Sequence, residues 1–277
     1  MNSTCKRTIA IAYDFDGTLA PGNMQEYDFI PALNMISASF WKEANQLAKK
    51  HDMDEVLAYL FLTLKKAKEK NIPVREETFF KFGRQIPFFK GVETYFSRIN
   101  QYAASKDLVI EHHIISSGIR EMIKGTVIAK EFKNIFASGY QYDENGDACW
   151  PALAVNYTNK TQFLFRINKG IYNSYDNSLI NKIIPENEKP VPFSNMIYIG
   201  DGETDIPAMK MATMQGGNAI AVYQSENRKN ADILKNDRAN YLVPADYSEG
   251  SILDLILHNI IDKIASEQNL KALGEDK

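Results

Sequence analysis

The hydrophobic pattern of the chain opens with a short, β-rich apolar run at residues 8–13 that stops at Asp14, Phe15, Asp16, Gly17 and Thr18. A run of this length bounded by carboxylates and glycine reads as a buried strand feeding a loop. Residues 21–89 differ: Phe40, Leu47, Val56, Leu57, Leu60, Phe61 and Leu64 recur at helical spacing among lysines and glutamates, with Pro31, Pro73, Pro87 and Gly91 as punctuation. That stretch is predicted to be mostly helix. Beyond it the pattern alternates, with a helix over 92–104, a strand over 108–115 and a helix over 119–130. Two alternating segments within 136–156 flank Asp143-Glu144-Asn145-Gly146, and the Asn-Gly step signals a hairpin. A helix over 159–168, capped by Thr158, precedes an Asn-, Ser- and Pro-rich surface excursion over 170–192 with one short helix near 178–184. A strand at 196–199, a helix at 206–212, a strand at 219–223 and an amphipathic helix at 251–265 follow. Alternating helices and strands predict an α/β fold.

Composition narrows the class. At about 150 residues per domain, 277 residues amount to roughly 1.8 domains, which is one large domain or a core carrying an insert. With 44% hydrophobic and 24% charged residues, the chain is neither disordered, collagen-like nor a disulfide-rich mini-protein. A net charge of -3 argues against a nucleic-acid polymer as partner. Cys5 and Cys149 fit neither a disulfide framework nor a zinc site and read as reduced thiols of a cytosolic chain. The first apolar run is too short for a signal peptide or a membrane span, so a cytoplasmic protein with no membrane partner is expected.

Three predicted strands end in polar residues: Tyr13 leads into Asp14 and Asp16, Ile115 into Ser116-Ser117-Gly118, and Ile199 into Gly200-Asp201-Gly202-Glu203-Thr204-Asp205. The carboxyl ends of strands in an open parallel sheet form the ligand crevice, so these clusters should meet. Asp14, Asp16, Asp201 and Asp205 near one point repel one another unless a cation or protons compensate, and carboxylates without His or Cys favour Mg²⁺ over zinc. An ionised carboxylate beside Mg²⁺ can attack phosphorus, forming an acyl phosphate. A second carboxyl two residues on can protonate the departing oxygen and later deprotonate water. Residues i and i+2 of a strand share a face, which suits Asp14 and Asp16 if strand geometry persists.

Asp14-Phe15-Asp16-Gly17-Thr18-Leu19 resembles the first motif of the haloacid dehalogenase superfamily, and of its phosphatases in particular. Ile114-Ile115-Ser116 resembles the second motif and the segment from Ile199 to Asp205 the fourth. The resemblance implies a Rossmann-like core with a parallel sheet over 1–20 and 90–277, a helical cap over 21–89 inserted after the first strand, and a small β-hairpin excursion. It makes Asp14 the nucleophile and Asp16 the general acid and base. Mg²⁺ would sit on Asp14, Asp201 and the main-chain carbonyl of Asp16, with Asp205 a ligand or a support. Ser116 would bond a phosphoryl oxygen, helped by the backbone N–H groups of Ser117 and Gly118. The family's active-site lysine would be Lys160, with Lys169 in reserve. Asp16 points to a phosphatase, because the dehalogenases lack a carboxylate there.

The implied activity is Mg²⁺-dependent hydrolysis of a small phosphorylated metabolite through an aspartyl-phosphate, as in phosphoserine phosphatases. The alternatives are a nucleoside 5'-monophosphate phosphatase of the same fold and a non-catalytic phospholigand-binding module. The cap would swing at Pro21-Gly22. In phosphoserine phosphatases a glutamate near the start of the cap meets the substrate's amino group; that place falls near Asn23 here, with Glu26 one turn later as the candidate substrate-binding residue. Arg75 and Arg84 either meet a second anionic group or lie in solvent. His112 and His113, adjacent on a strand, read as one core and one exposed histidine. The Lys65–Lys70 run reads as a solvated helix end.

Overall fold

The computed structural model describes residues 7–185, 188–224 and 239–275. Seven strands, β1 (Arg7–Tyr13), β2 (Leu108–Ile119), β3 (Phe132–Tyr142), β4 (Ala148–Leu153), β5 (Met196–Gly200), β6 (Asn218–Tyr223) and β7 (Tyr241–Pro244), form one sheet in the order β4-β3-β2-β1-β5-β6-β7. All neighbouring pairs are parallel except β3 and β4, which are joined as the hairpin predicted at Asn145-Gly146. A parallel sheet is covered on both faces, and β1 shows why its sequence is apolar throughout. Ile9, Ile11 and Tyr13 join one apolar cluster, while Ala10 and Ala12 join the other. The first cluster takes in α5 (Val92–Ala104) and the C-terminal helix, through Val92, Phe96 and Leu257. The second takes in α7 (Lys160–Asn168) and α8 (Ile206–Met214), through Phe163 and Met209.

Between β1 and α5 the chain makes a helical insert of α1 (Phe29–Ala32), α2 (Ser37–His51), α3 (Glu55–Glu69) and α4 (Glu76–Gly83). Asp52, at φ 50°, ends α2 in the left-handed region, and two residues later Asp54 starts α3 by accepting from Val56 N and Leu57 N at 3.0 Å each. The insert shares its core with the sheet: Phe40, Leu60 and Phe79 belong to the same cluster as Ile9 and Tyr13. Phe79 stacks on Tyr140 of β3 with ring centroids 5.5 Å apart, and the Tyr140 hydroxyl donates to Leu60 O at 3.0 Å. Two glycines bring α4 against α6 (Arg120–Gly125): a Cβ at Gly83 would meet Met122 O at 2.0 Å, and one at Gly125 would meet Phe80 O at 2.2 Å.

Several elements differ from the sequence reading. The helix expected over 119–130 is only α6 and a 3₁₀ turn at Ala129–Glu131, and β2 runs on to Ile119. Thr158 does not cap α7: Asn159 stands at the N-cap position without a side-chain cap bond, and Asn156 closes the turn before it, its Oδ1 accepting Asn159 N at 3.1 Å. No helix forms near 178–184, because the excursion is wound around two cations that take its carbonyls. Arg166 donates to the carbonyls of Asn173, Ser174 and Asp176, and Lys169 to those of Leu179, Ile180 and Lys182. β7 is a strand too short and too mixed to read from the pattern, and the last helix, α9, runs over Ile252–Glu275. His112 and His113 are both buried, at 2% and 0% exposure, because β2 is covered on both faces. Cys149 is exposed and unpaired among the described residues, and Cys5 lies outside them. No described helix is long and apolar enough to cross a membrane.

Candidate active site

The parallel register brings the ends of β1, β2 and β5 to one rim. Tyr13 pairs with Ile114 and Ile199, so Asp14, Ser116 and Asp201 emerge side by side. Asp14 N donates to Ile199 O at 2.9 Å, which extends the sheet one residue past β1. The chain then reverses at Gly17, whose φ of +73° suits glycine; a Cβ there would also meet Asp201 Oδ2 at 2.1 Å. Thr18 Oγ1 donates to Asp201 Oδ1 at 3.1 Å, and Met24 N donates to Asp16 Oδ1 at 2.9 Å. Ser116 Oγ accepts Gly118 N at 3.0 Å. Asp14, Asp16, Ser116, Ser117, Gly118 and Asp201 all line one cavity of about 370 Å³ under the insert.

Lys160, the first residue of α7 and fully buried, lies behind that wall. Its ammonium donates to Asp14 Oδ2 and to Asp205 Oδ1, each at 2.7 Å. Asp205 is saturated: Oδ1 also accepts the Tyr198 hydroxyl at 2.6 Å, and Oδ2 accepts Asp201 N at 3.2 Å and Gly202 N at 3.1 Å. Burial pushes the Asp14 carboxyl up to about 6 even against the pull of Lys160. Burial and then the Asp14 charge raise Asp16 well above the ordinary carboxylate range, and burial and then Asp205 do the same to Asp201. Burial works against charge on Lys160, but Asp14 and Asp205 outweigh it and hold the ammonium protonated.

One oxygen from each of Asp14, Asp201 and Asp205 lies within 4.8 Å of the others. Among the described residues one lysine, Lys160, pairs with this buried acidic set, and every donor is a hard carboxylate oxygen, so the residues fit a magnesium-sized cation. The oxygens of Asp205 are occupied by hydrogen bonds, which leaves Asp14 and Asp201 as the carboxylates with room for it. Asp16 enters no such cluster with its carboxylate.

Other expected residues lie elsewhere. Lys169 serves the 170–192 excursion and does not reach the cavity. Glu26 does not line the cavity: its Oε1 accepts the Trp41 indole N–H at 2.6 Å and Asn23 Nδ2 at 2.8 Å, so it orients Trp41. Arg75 pairs with Asp147 in the hairpin at 2.9 Å, and neither it nor Arg84 lines the cavity. The insert contributes instead Gln25, Trp41, Asn45, Glu55 and Tyr59, and the segment before α7 adds Tyr157. Trp41, Asn45, Glu55 and Tyr59 lie on α2 and α3, whose aromatic and polar positions have no motif signal. Tyr198 had one, since a phenol on an otherwise apolar buried strand needs a partner.

The haloacid dehalogenase-like hydrolase family matches residues 11–210, so the chain belongs to that family. An uncharacterized protein of Borreliella burgdorferi is 29% identical over 88% of this chain and 93% of its own length. Among solved structures, a haloacid dehalogenase family hydrolase of Salmonella enterica serovar Typhi superposes with a TM-score of 0.59 at 16% identity, over 91% of this chain and 70% of that one. A phospho-aspartyl intermediate analogue of phosphoserine phosphatase gives 0.56 at 16% identity, over 91% and 98%. Cytosolic 5'-nucleotidase IIIB bound to cytidine gives 0.51 at 15% identity, over 96% and 88%.

Proposed function

We propose that the protein is a Mg²⁺-dependent phosphatase that hydrolyses a small phosphomonoester through an aspartyl-phosphate at Asp14, as phosphoserine phosphatases do. The observation that carries this reading is the Lys160 ammonium, 2.7 Å from Asp14 Oδ2, behind a cavity that Asp14, Asp16 and Ser116 line. Asp14 and Asp201, with the main-chain carbonyl of Asp16, would hold the cation, which supplies charge neutralisation for the phosphoryl oxygens. A carboxylate oxygen of Asp14 attacks phosphorus, the bond to the leaving oxygen breaks, and Asp16 delivers its proton to that oxygen. The raised proton affinity of Asp16 suits it to that first role. Asp16 then takes a proton from water as the water oxygen attacks phosphorus; the bond to Asp14 breaks and inorganic phosphate leaves. Lys160 holds the nucleophile in place, Asp205 holds Lys160, and the Ser116 hydroxyl, oriented by the Gly118 N–H, receives the phosphoryl oxygens together with the N–H of Ser117. The 21–89 insert acts as a cap that excludes water.

The test is turnover of a phosphomonoester panel with Mg²⁺, together with trapping of Asp14 as a fluoroberyllate adduct. Wild type should turn over at least one ester and Asp14→Asn none. A wild-type chain that binds phosphomonoesters without releasing phosphate would instead be a phospholigand-binding module.

A further inference from the structure

The wall of the cavity away from Asp14 decides what alcohol can leave, and its chemistry is one-sided. No lysine or arginine among the described residues lines the cavity, and Lys160, behind it, is occupied by Asp14 and Asp205. Glu55 lines it at the start of α3, with no ion pair or hydrogen bond among the described residues. Gln25 lines it too and adds no charge. Trp41 and Tyr59 form two walls meeting at 69°, with ring centroids 5.7 Å apart, and the Glu26 carboxylate fixes the indole through its N–H. Tyr157 stands near Glu55 as a third ring.

A carboxylate among aromatic faces forms a subsite for a cation that carries N–H donors. The same surroundings disfavour a second anion, because a substrate carboxylate or second phosphate would meet Glu55 and no cation. We infer that the leaving group is a small amino alcohol, so that the substrate is a phosphomonoester such as ethanolamine phosphate, its ammonium held by Glu55 and the Trp41–Tyr59 corner. This rests on the phosphatase reading and separates the zwitterionic, carboxylate-bearing serine phosphate from an ester whose leaving group is purely cationic.

The test compares kcat/KM of the wild-type chain with Mg²⁺ on ethanolamine phosphate, glycerol 3-phosphate, O-phosphoserine, cytidine 5'-monophosphate and p-nitrophenyl phosphate. Ethanolamine phosphate should exceed both glycerol phosphate and O-phosphoserine by about tenfold or more, the scale of one well-placed charge contact. Glu55→Gln should cut the ratio of ethanolamine phosphate to glycerol phosphate by about fivefold or more, through KM and not kcat. Trp41→Leu should cut the same ratio, as loss of a ring face requires. Turnover of p-nitrophenyl phosphate with equal or greater preference for glycerol phosphate, O-phosphoserine or the nucleotide overturns this inference alone. An unchanged ratio in Glu55→Gln overturns it as well. No turnover of any ester, with no fluoroberyllate adduct, overturns the phosphatase reading and this inference with it.

Discussion

Lys160 Nζ lies 2.7 Å from Asp14 Oδ2, although 146 residues separate them in the chain. The ammonium is fully buried and satisfied by two carboxylates, so its removal leaves Asp14 and Asp205 facing each other without a cation. Lys160→Met should lower kcat by about 10²-fold or more and destabilise the fold by about 3–5 kcal/mol, as expected when one partner of a buried ion pair is deleted. Urea unfolding of Lys160→Met, Asp14→Asn and the double variant checks this. The double variant should be less destabilised than the sum of the singles, and strict additivity would argue against the pairing.

Gly17 holds the turn that brings Asp201 against the first loop, at φ +73° and with no room for a Cβ, which would lie 2.1 Å from Asp201 Oδ2. Gly17→Ala should displace that carboxylate and weaken apparent Mg²⁺ affinity by roughly tenfold or more. Activity titrated with Mg²⁺ is the measurement, and an unchanged half-saturation point would count against Asp201 as a ligand.

The insert is locked onto the core where α4 crosses α6 backbone to backbone. A Cβ at Gly83 would meet Met122 O at 2.0 Å and one at Gly125 would meet Phe80 O at 2.2 Å, with little freedom for either helix to yield. Gly83→Ala and Gly125→Ala should each cost about 1–3 kcal/mol of stability, the scale of overpacking in a filled core. Denaturant midpoints measure it; neutral substitutions would show that the two helices can separate freely.

His112 is buried between Tyr13, whose hydroxyl lies 2.9 Å from Nδ1, and Asn100, whose Oδ1 lies 2.9 Å from Nε2. Asn100 Oδ1 only accepts, so Nε2 carries the proton and Nδ1 accepts from Tyr13. Burial lowers the imidazole from 6.5 to about 3. Between those values the unfolded chain binds a proton that the folded chain refuses, so stability falls as pH drops from 6.5 toward 3 and is fully present above 6.5. The loss attributable to His112 is on the order of 5 kcal/mol across that window. Urea unfolding of wild type and His112→Gln at a series of pH values should show it as the difference between the two slopes; what remains in the variant is the part due to His113, lowered by burial in the same direction, and that due to Asp14, raised to about 6 and so opposite in sign.

The alternation of Ile9, Ala10, Ile11, Ala12 and Tyr13, the Asp-x-Asp after them and the Asn-Gly hairpin were all legible, because each rests on a local rule of period or turn chemistry. The segment near 178–184 was not, since nothing local says that Arg166 and Lys169 will take its carbonyls. Glu26 shows the same limit within the site: it lies one turn past the place near Asn23 that the count from Asp14 gives a substrate contact, and Trp41 packs beside it and takes the carboxylate.

The sequence by itself determined the α/β order of the core and that carboxylates gather where three strands end, because strand polarity and motif position depend only on neighbours in the chain. Tertiary structure alone decided that Lys160 and not Lys169 meets Asp14, that Asp205 is saturated by Lys160, Tyr198 and two backbone N–H groups, and that Gln25, Trp41 and Glu55 face the cavity. Those relationships depend on sheet register and on how closely glycines let helices cross, and both are set by packing between segments far apart in the chain.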